Sequence, residues 1–122
     1  MKLSSFPEAV AHYKELTGED FEWNPGEGCW VLDSNEFMTY RISRYEGIPY
    51  LEIRQTYGFV KNFVVRIKNL MEKQGIEWIV TCTQRNPKAH IKKWKMERLP
   101  QFDYDFEGRR YFVLKGHISN LM

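Results

Sequence analysis

An α+β fold, built on a mixed β-sheet with helices on its faces, is predicted by three features of this 122-residue chain. Short alternating runs between residues 29 and 55 read as an antiparallel meander. The periodicity then turns helical from 59 to 75 and is followed by a buried-type strand, which implies a right-handed parallel β-α-β crossover. Two aromatic-rich runs near the C-terminus read as closing strands. No repeat, low-complexity tract or linker divides the chain, so residues 1–122 are expected to form one domain.

The elements follow in order. "FPEAVAHYKELTG" reads as a helix: Pro7 suits a first turn, Val10, Tyr13 and Leu16 fall at helical spacing, and Gly18 stops it. "FEWNPGEG" is turn-rich. "CWVLDS", "FMTYRISRY" and "YLEIRQ" read as three strands joined by "SNE" and "EGIP". In the next helix Phe59, Phe63, Val64, Ile67, Leu70 and Met71 trace one apolar face, and Gly75 ends it. "IEWIVTCT" is the crossover strand and "QRN" a loop. Pro87 opens a second helix, "PKAHIKKWKMER", before "PQFDYDF" and "RRYFVLKGHI" form two strands around Glu107 and Gly108.

Composition narrows the function classes. At 43% hydrophobic and 16% aromatic residues the chain can bury a sizeable core, which excludes disorder. A net charge of +2 neither requires nor excludes nucleic acid. No apolar run approaches the ~20 residues of a membrane span, and the first ten residues lack the apolar core of a signal peptide. A cytoplasmic protein without membrane association is expected. Cys29 and Cys82 have neither metal-ligand nor redox spacing and are expected as free thiols. His12, His90 and His117 have no metal spacing either, so structural or solvated roles are expected for them.

The junction "QTYGFV", residues 55–60, carries the functional question. The first amides of a helix lack partners within it, carry partial positive charge, and can donate to an anionic phosphate. Gly58 has no Cβ, so backbone and ligand can approach closely. The backbone amides of Tyr57, Gly58, Phe59, Val60 and Lys61 are the candidate donors, with the Lys61 ammonium adding charge. The plainer alternative is that Gly58 only permits the turn.

The order of elements and this junction resemble the GNAT-family N-acetyltransferases. In that family a strand ends in Gln or Arg, two residues, Gly, one residue, then Gly or Ala, in a loop that holds the pyrophosphate of acetyl-CoA. Gln55, Gly58 and Val60 occupy those positions, and the resemblance spans roughly residues 28–118. It implies acetyl-CoA as cofactor. Asn86 matches an Asn that follows the family's next strand, with a bond to the pantetheine arm as one role and a helix cap as the other. Glu52 is the candidate general base, on one strand face with Tyr50 and Arg54; its alternative is a carboxylate paired with Arg54 or a neighbouring strand. The chain departs from the family at Val60, where a small residue is usual, and in 87–98, where Trp94 is present but no Tyr stands to protonate the leaving thiolate. Tyr50, Tyr57 and Tyr104 are other hydroxyls for that role.

These features imply an acetyl-CoA-dependent N-acetyltransferase acting on a small-molecule or protein amine, as monomer or homodimer. The alternative is a catalytically silent binding or structural module on the same scaffold. Small proteins of this build in that family are often bacteriophage-encoded, which implies a host cytoplasm or a virion as setting. A third reading is nucleic-acid binding through Lys88, Lys92, Lys93, Lys95 and Trp94 with Arg109 and Arg110. A solvated helix face accounts for the same lysines.

Overall fold

The computed structural model describes residues 5–84 and 86–121. Helix α1 (Phe6–Thr17) begins where the Ser5 hydroxyl accepts from the Glu8 amide, carries Pro7 in its first turn, and closes on Gly18 in the left-handed conformation. Strands β1 (Gly28–Val31), β2 (Phe37–Tyr45) and β3 (Ile48–Tyr57) form the expected antiparallel meander. Helix α2 (Val64–Gln74) leads to β4 (Trp78–Thr83), which lies parallel to β3. Helix α3 (Lys88–Trp94) precedes β5 (Glu97–Arg98), β6 (Tyr104–Phe106) and β7 (Arg109–His117). The seven strands run β1-β2-β3-β4-β7-β5, with β6 also paired to β7. This is the mixed α+β sheet the sequence predicts.

Successive strand residues point to opposite faces, and β2 shows how each face is used. Phe37 faces α1, packing edge-on against Phe6, Tyr13 and Phe21. Met38 faces the other way, into the core formed by Leu51, Ile53, Phe63, Ile67, Met71, Ile79 and Leu114. Thus α1 covers one face and α2 the other. No described helix is long and apolar enough to cross a membrane. Cys29 and Cys82 are free thiols.

Of the boundaries that differ from the sequence reading, among them "PQFDYDF", where a 3-10 turn at Pro100–Phe102 precedes β6, three bear on the site. Strand β3 continues past Gln55 through Thr56 and Tyr57, because these pair with Met38 and Phe37. A short 3-10 turn at Val60–Asn62 then intervenes, so α2 begins at Val64 and Phe59 lies outside it, 68% exposed rather than on its apolar face. Helix α3 stops at Lys95 in the left-handed conformation, since Met96 turns into the core and Glu97 and Arg98 pair with β7. The expected loop at 84–86 contains Arg85, which lies outside the described residues.

Candidate functional site

The pairing of β3 with β4 is brief. It joins Tyr50 to Trp78, Leu51 to Ile79 and Glu52 to Val80. Both strands run on, β3 to Tyr57 and β4 to Thr83, held on their outer sides by β2 and β7. Their inner edges therefore part beyond Glu52 and Val80, with no described strand between Ile53–Thr56 and β4, while the Gln55 amide donates to Thr39 Oγ1 on the β2 side. Buried backbone donors and acceptors need partners. A ligand carrying its own amides can supply them as an inserted strand would. The opening belongs to a cleft of about 1190 Å³, which also reaches the Gly58 turn and the segment after α1.

At the mouth of this cleft the Gly58 turn already holds an anion, the carboxylate of Glu36. Its Oε1 accepts from the Phe59 amide at 2.9 Å, and Asn62 Nδ2 donates to Oε2 at 3.0 Å. The Ser34 hydroxyl donates to Oε2 at 2.8 Å. Gly58 sits at φ +112°, and a Cβ there would lie 2.2 Å from Glu36 Oε1. The close approach that glycine permits is thus made by a side chain of the protein itself. Burial works to raise the Glu36 pKa, but the Phe59 amide, Ser34, Asn62 and Lys61 outweigh it and hold the carboxyl below its ordinary range. The Asn62 and Phe63 amides turn back onto the Phe59 and Val60 carbonyls. Those of Val60 and Lys61 stand at the open end of the turn.

The other sequence candidates fall in distinct places. Gln55, 3% exposed, uses its side chain internally: Oε1 accepts from the Glu22 amide at 3.0 Å and Nε2 donates to the Asp20 carbonyl at 3.0 Å. It ties the segment after α1 to β3 rather than offering a donor to a phosphate. The Tyr57 hydroxyl is bonded to His12 Nδ1 at 2.6 Å, which gives His12 a partner that the sequence did not indicate. Glu52 lines the cleft, yet Arg41 donates to it through Nε at 2.6 Å and Nη2 at 3.3 Å. The neighbouring-strand alternative is the observed one, while Arg54 pairs with Glu27 at 2.8 Å. Asn86 Oδ1 accepts from the Lys88 amide at 3.0 Å at an exposed position just ahead of α3, whose N-cap residue is Pro87.

The parted strands bring together a group that sequence spacing does not reveal. The Tyr104 hydroxyl lies 3.5 Å from Cys82 Sγ, and the Tyr104 and Tyr111 rings stack in parallel with centroids 4.8 Å apart. Tyr111 donates to Glu19 Oε2 at 2.8 Å, and Gln84 Nε2 donates to the same oxygen at 3.2 Å. Burial, with the Glu19 bond, pushes the Tyr111 hydroxyl up to about 12. Burial and the Cys82 contact raise Tyr104 as well, and burial raises Cys82. All three are protonated at neutral pH, so the hydroxyls are hydrogen-bond donors. Of the three tyrosines considered for protonating a thiolate, Tyr104 is the one whose hydroxyl meets β4 where it parts from β3. Pairing of Tyr104 to Tyr111 across β6 and β7 creates the constellation, and only an alternation pattern in "FDYDF" hints at it.

No protein-family model matches this chain, and no curated protein sequence matches it. Among solved structures it is similar to FeeM, an N-acyl amino acid synthase from uncultured soil microbes. The match has a TM-score of 0.70 at 6% identity and covers 93% of this chain and 89% of FeeM. At that identity the similarity is one of fold. The fold is GNAT-like.

Proposed function

We propose that the protein is an N-acyltransferase that draws its acyl group from a CoA-type thioester, with acetyl-CoA as the expected donor, bound between the parted halves of β3 and β4. The observation that carries this reading is the early end of β3–β4 pairing at Glu52 and Val80. Between the two diverging strands an amide-bearing arm would lie, and a main-chain N–H of the β3 edge would polarise a thioester carbonyl. In the reaction the acceptor nitrogen bonds to the carbonyl carbon, the C–S bond breaks, and the amine gives up a proton to solvent at the cleft mouth, from which Tyr104 is reprotonated after the transfer. The thiolate takes a proton; Tyr104, protonated in the cleft wall, is its donor. The diphosphate of the donor belongs at the open end of the Gly58 turn, near the Val60 and Lys61 amides and the Lys61 ammonium. There it must displace Glu36 from Phe59. Gln55 and Asn86 hold the protein framework around the donor.

The catalytically silent module is the second reading. It is favoured by the Glu36 carboxylate in the turn and by Arg41 on Glu52, which leave the chemistry without its usual openings. Thiol release from acetyl-CoA, followed with a panel of amines, separates the two. The transferase reading expects amine-dependent release that falls about 100-fold in Tyr104→Phe, mostly in kcat. Saturable acetyl-CoA binding with no release above the buffer rate for any amine selects the silent module.

A further inference from the structure

Buried polar atoms nearly always find a hydrogen bond, so those that do not call for a reason. Among the described residues two buried side-chain atoms have no partner, Arg98 Nε and His90 Nδ1. Arg98 donates to Asp103 through Nη2 and lies over the Phe112 ring, so its guanidinium is engaged. His90 is different, because it lines the cleft. Helix α3 follows β4 after a short loop, and Met96, just past the helix end, stands over Gly116 beside Ile79. Ile79 and Gly116 pair across β4 and β7. The helix therefore runs back along β4 from its Thr83 end, and His90, in its first half, stands beside the stretch that has parted from β3.

The cleft wall on this face of the sheet is largely apolar, with Ile67, Ile79, Trp94 and Met96. Burial lowers the His90 pKa, so the ring is neutral at neutral pH. With its proton on Nε2, the neutral ring presents Nδ1 as an acceptor. Closed to water and unpaired, that atom opposes folding of the free protein. The torsion that turns a histidine ring is soft, so Nδ1 can swing toward the cleft at little cost. Its match is an N–H carried into apolar surroundings. Ionised phosphates and carbonyls only accept, and so do not fit.

We propose that His90 binds the acyl donor, its Nδ1 accepting from an amide N–H of the pantetheine arm as that arm lies between β3 and β4. The inference rests on the transferase reading and adds a side-chain contact to a donor site otherwise made by main chain. The test titrates acetyl-CoA into wild type, His90→Leu and His90→Asn, unfolds each free protein with denaturant, and follows the imidazole 15N signals of wild type by NMR. His90→Leu should bind acetyl-CoA about three- to tenfold more weakly. The free variant should be at least as stable as wild type, because it lacks the unpaired atom. His90→Asn, whose side-chain oxygen can take the place of Nδ1, should keep most of the affinity. In wild type the His90 Nδ1 signal should shift as acetyl-CoA saturates. Unchanged affinity in His90→Leu, or an Nδ1 signal that stays in place at saturation, overturns the proposal and leaves the transferase reading standing. Should His90→Leu not fold, the Nδ1 signal decides alone. If wild type binds no acetyl-CoA, both the donor site and this contact are overturned.

Discussion

Replacing Glu36 by Ala separates the two ways of reading the Gly58 turn. The carboxylate accepts from the Phe59 amide at 2.9 Å, the Ser34 hydroxyl at 2.8 Å and Asn62 Nδ2 at 3.0 Å. A sheltered hydrogen bond to a charged group contributes about 1.5–3 kcal/mol. Glu36 is partly exposed, and after discounting for solvent the set is worth about 1–2 kcal/mol. A diphosphate that takes the Phe59 amide must break this set and tolerate a like charge nearby, which adds about 1 kcal/mol at close range in water. Glu36→Ala should therefore bind acetyl-CoA about 30- to 100-fold more tightly than wild type. The same variant should be less stable by about 1–2 kcal/mol. Calorimetric titration measures the first effect and denaturant unfolding the second. If stability falls as expected while acetyl-CoA binds no more tightly, the diphosphate does not enter this turn, and the reasoning is refuted.

Other outcomes follow from the same geometry. Gln55→Ala should cost about 1–3 kcal/mol in unfolding free energy, because it orphans the Glu22 amide and the Asp20 carbonyl, and should leave acetyl-CoA affinity nearly unchanged; a large affinity loss at constant stability would return Gln55 to the ligand. The depressed Glu36 pKa makes its stabilisation fully present above the unfolded value of about 4.3, with loss as pH falls through the folded value. The Tm difference between wild type and Glu36→Gln should accordingly vanish in acid, and a constant difference would contradict that assignment. Gly58→Ala places a Cβ against Glu36 at positive φ, so it should destabilise the fold and shift the Phe59 amide signal; a silent substitution would mean the carboxylate is not seated there.

Much of the fold was legible because its signals are local. Pro7 and Gly18 bracket α1, Glu46–Gly47 and Glu107–Gly108 turn hairpins at positive φ, and the change from strand to helical period announces the crossover. The errors lie where distant pairing overrides local preference. Thr56 and Tyr57 look like a turn until Met38 and Phe37 pair with them. Met96–Arg98 look helical until the core and β7 draw them away. The site was less legible for the same reason. Glu36 lies 23 residues before the amide it binds, and Glu19 lies 92 residues before the tyrosine that donates to it. Neither pair leaves a spacing pattern in one sequence. The short pairing of β3 and β4, on which the proposed donor site depends, is a matter of strand divergence that alternating residues do not encode.

That divergence is open to direct observation by amide NMR during titration with acetyl-CoA. The account predicts saturable shifts and slowed hydrogen exchange at Ile53–Thr56 and Thr81–Thr83, the two facing edges, with smaller changes along β1. Saturation that leaves those amides untouched, or a titration with no response at any residue, contradicts a thioester donor held between the strands.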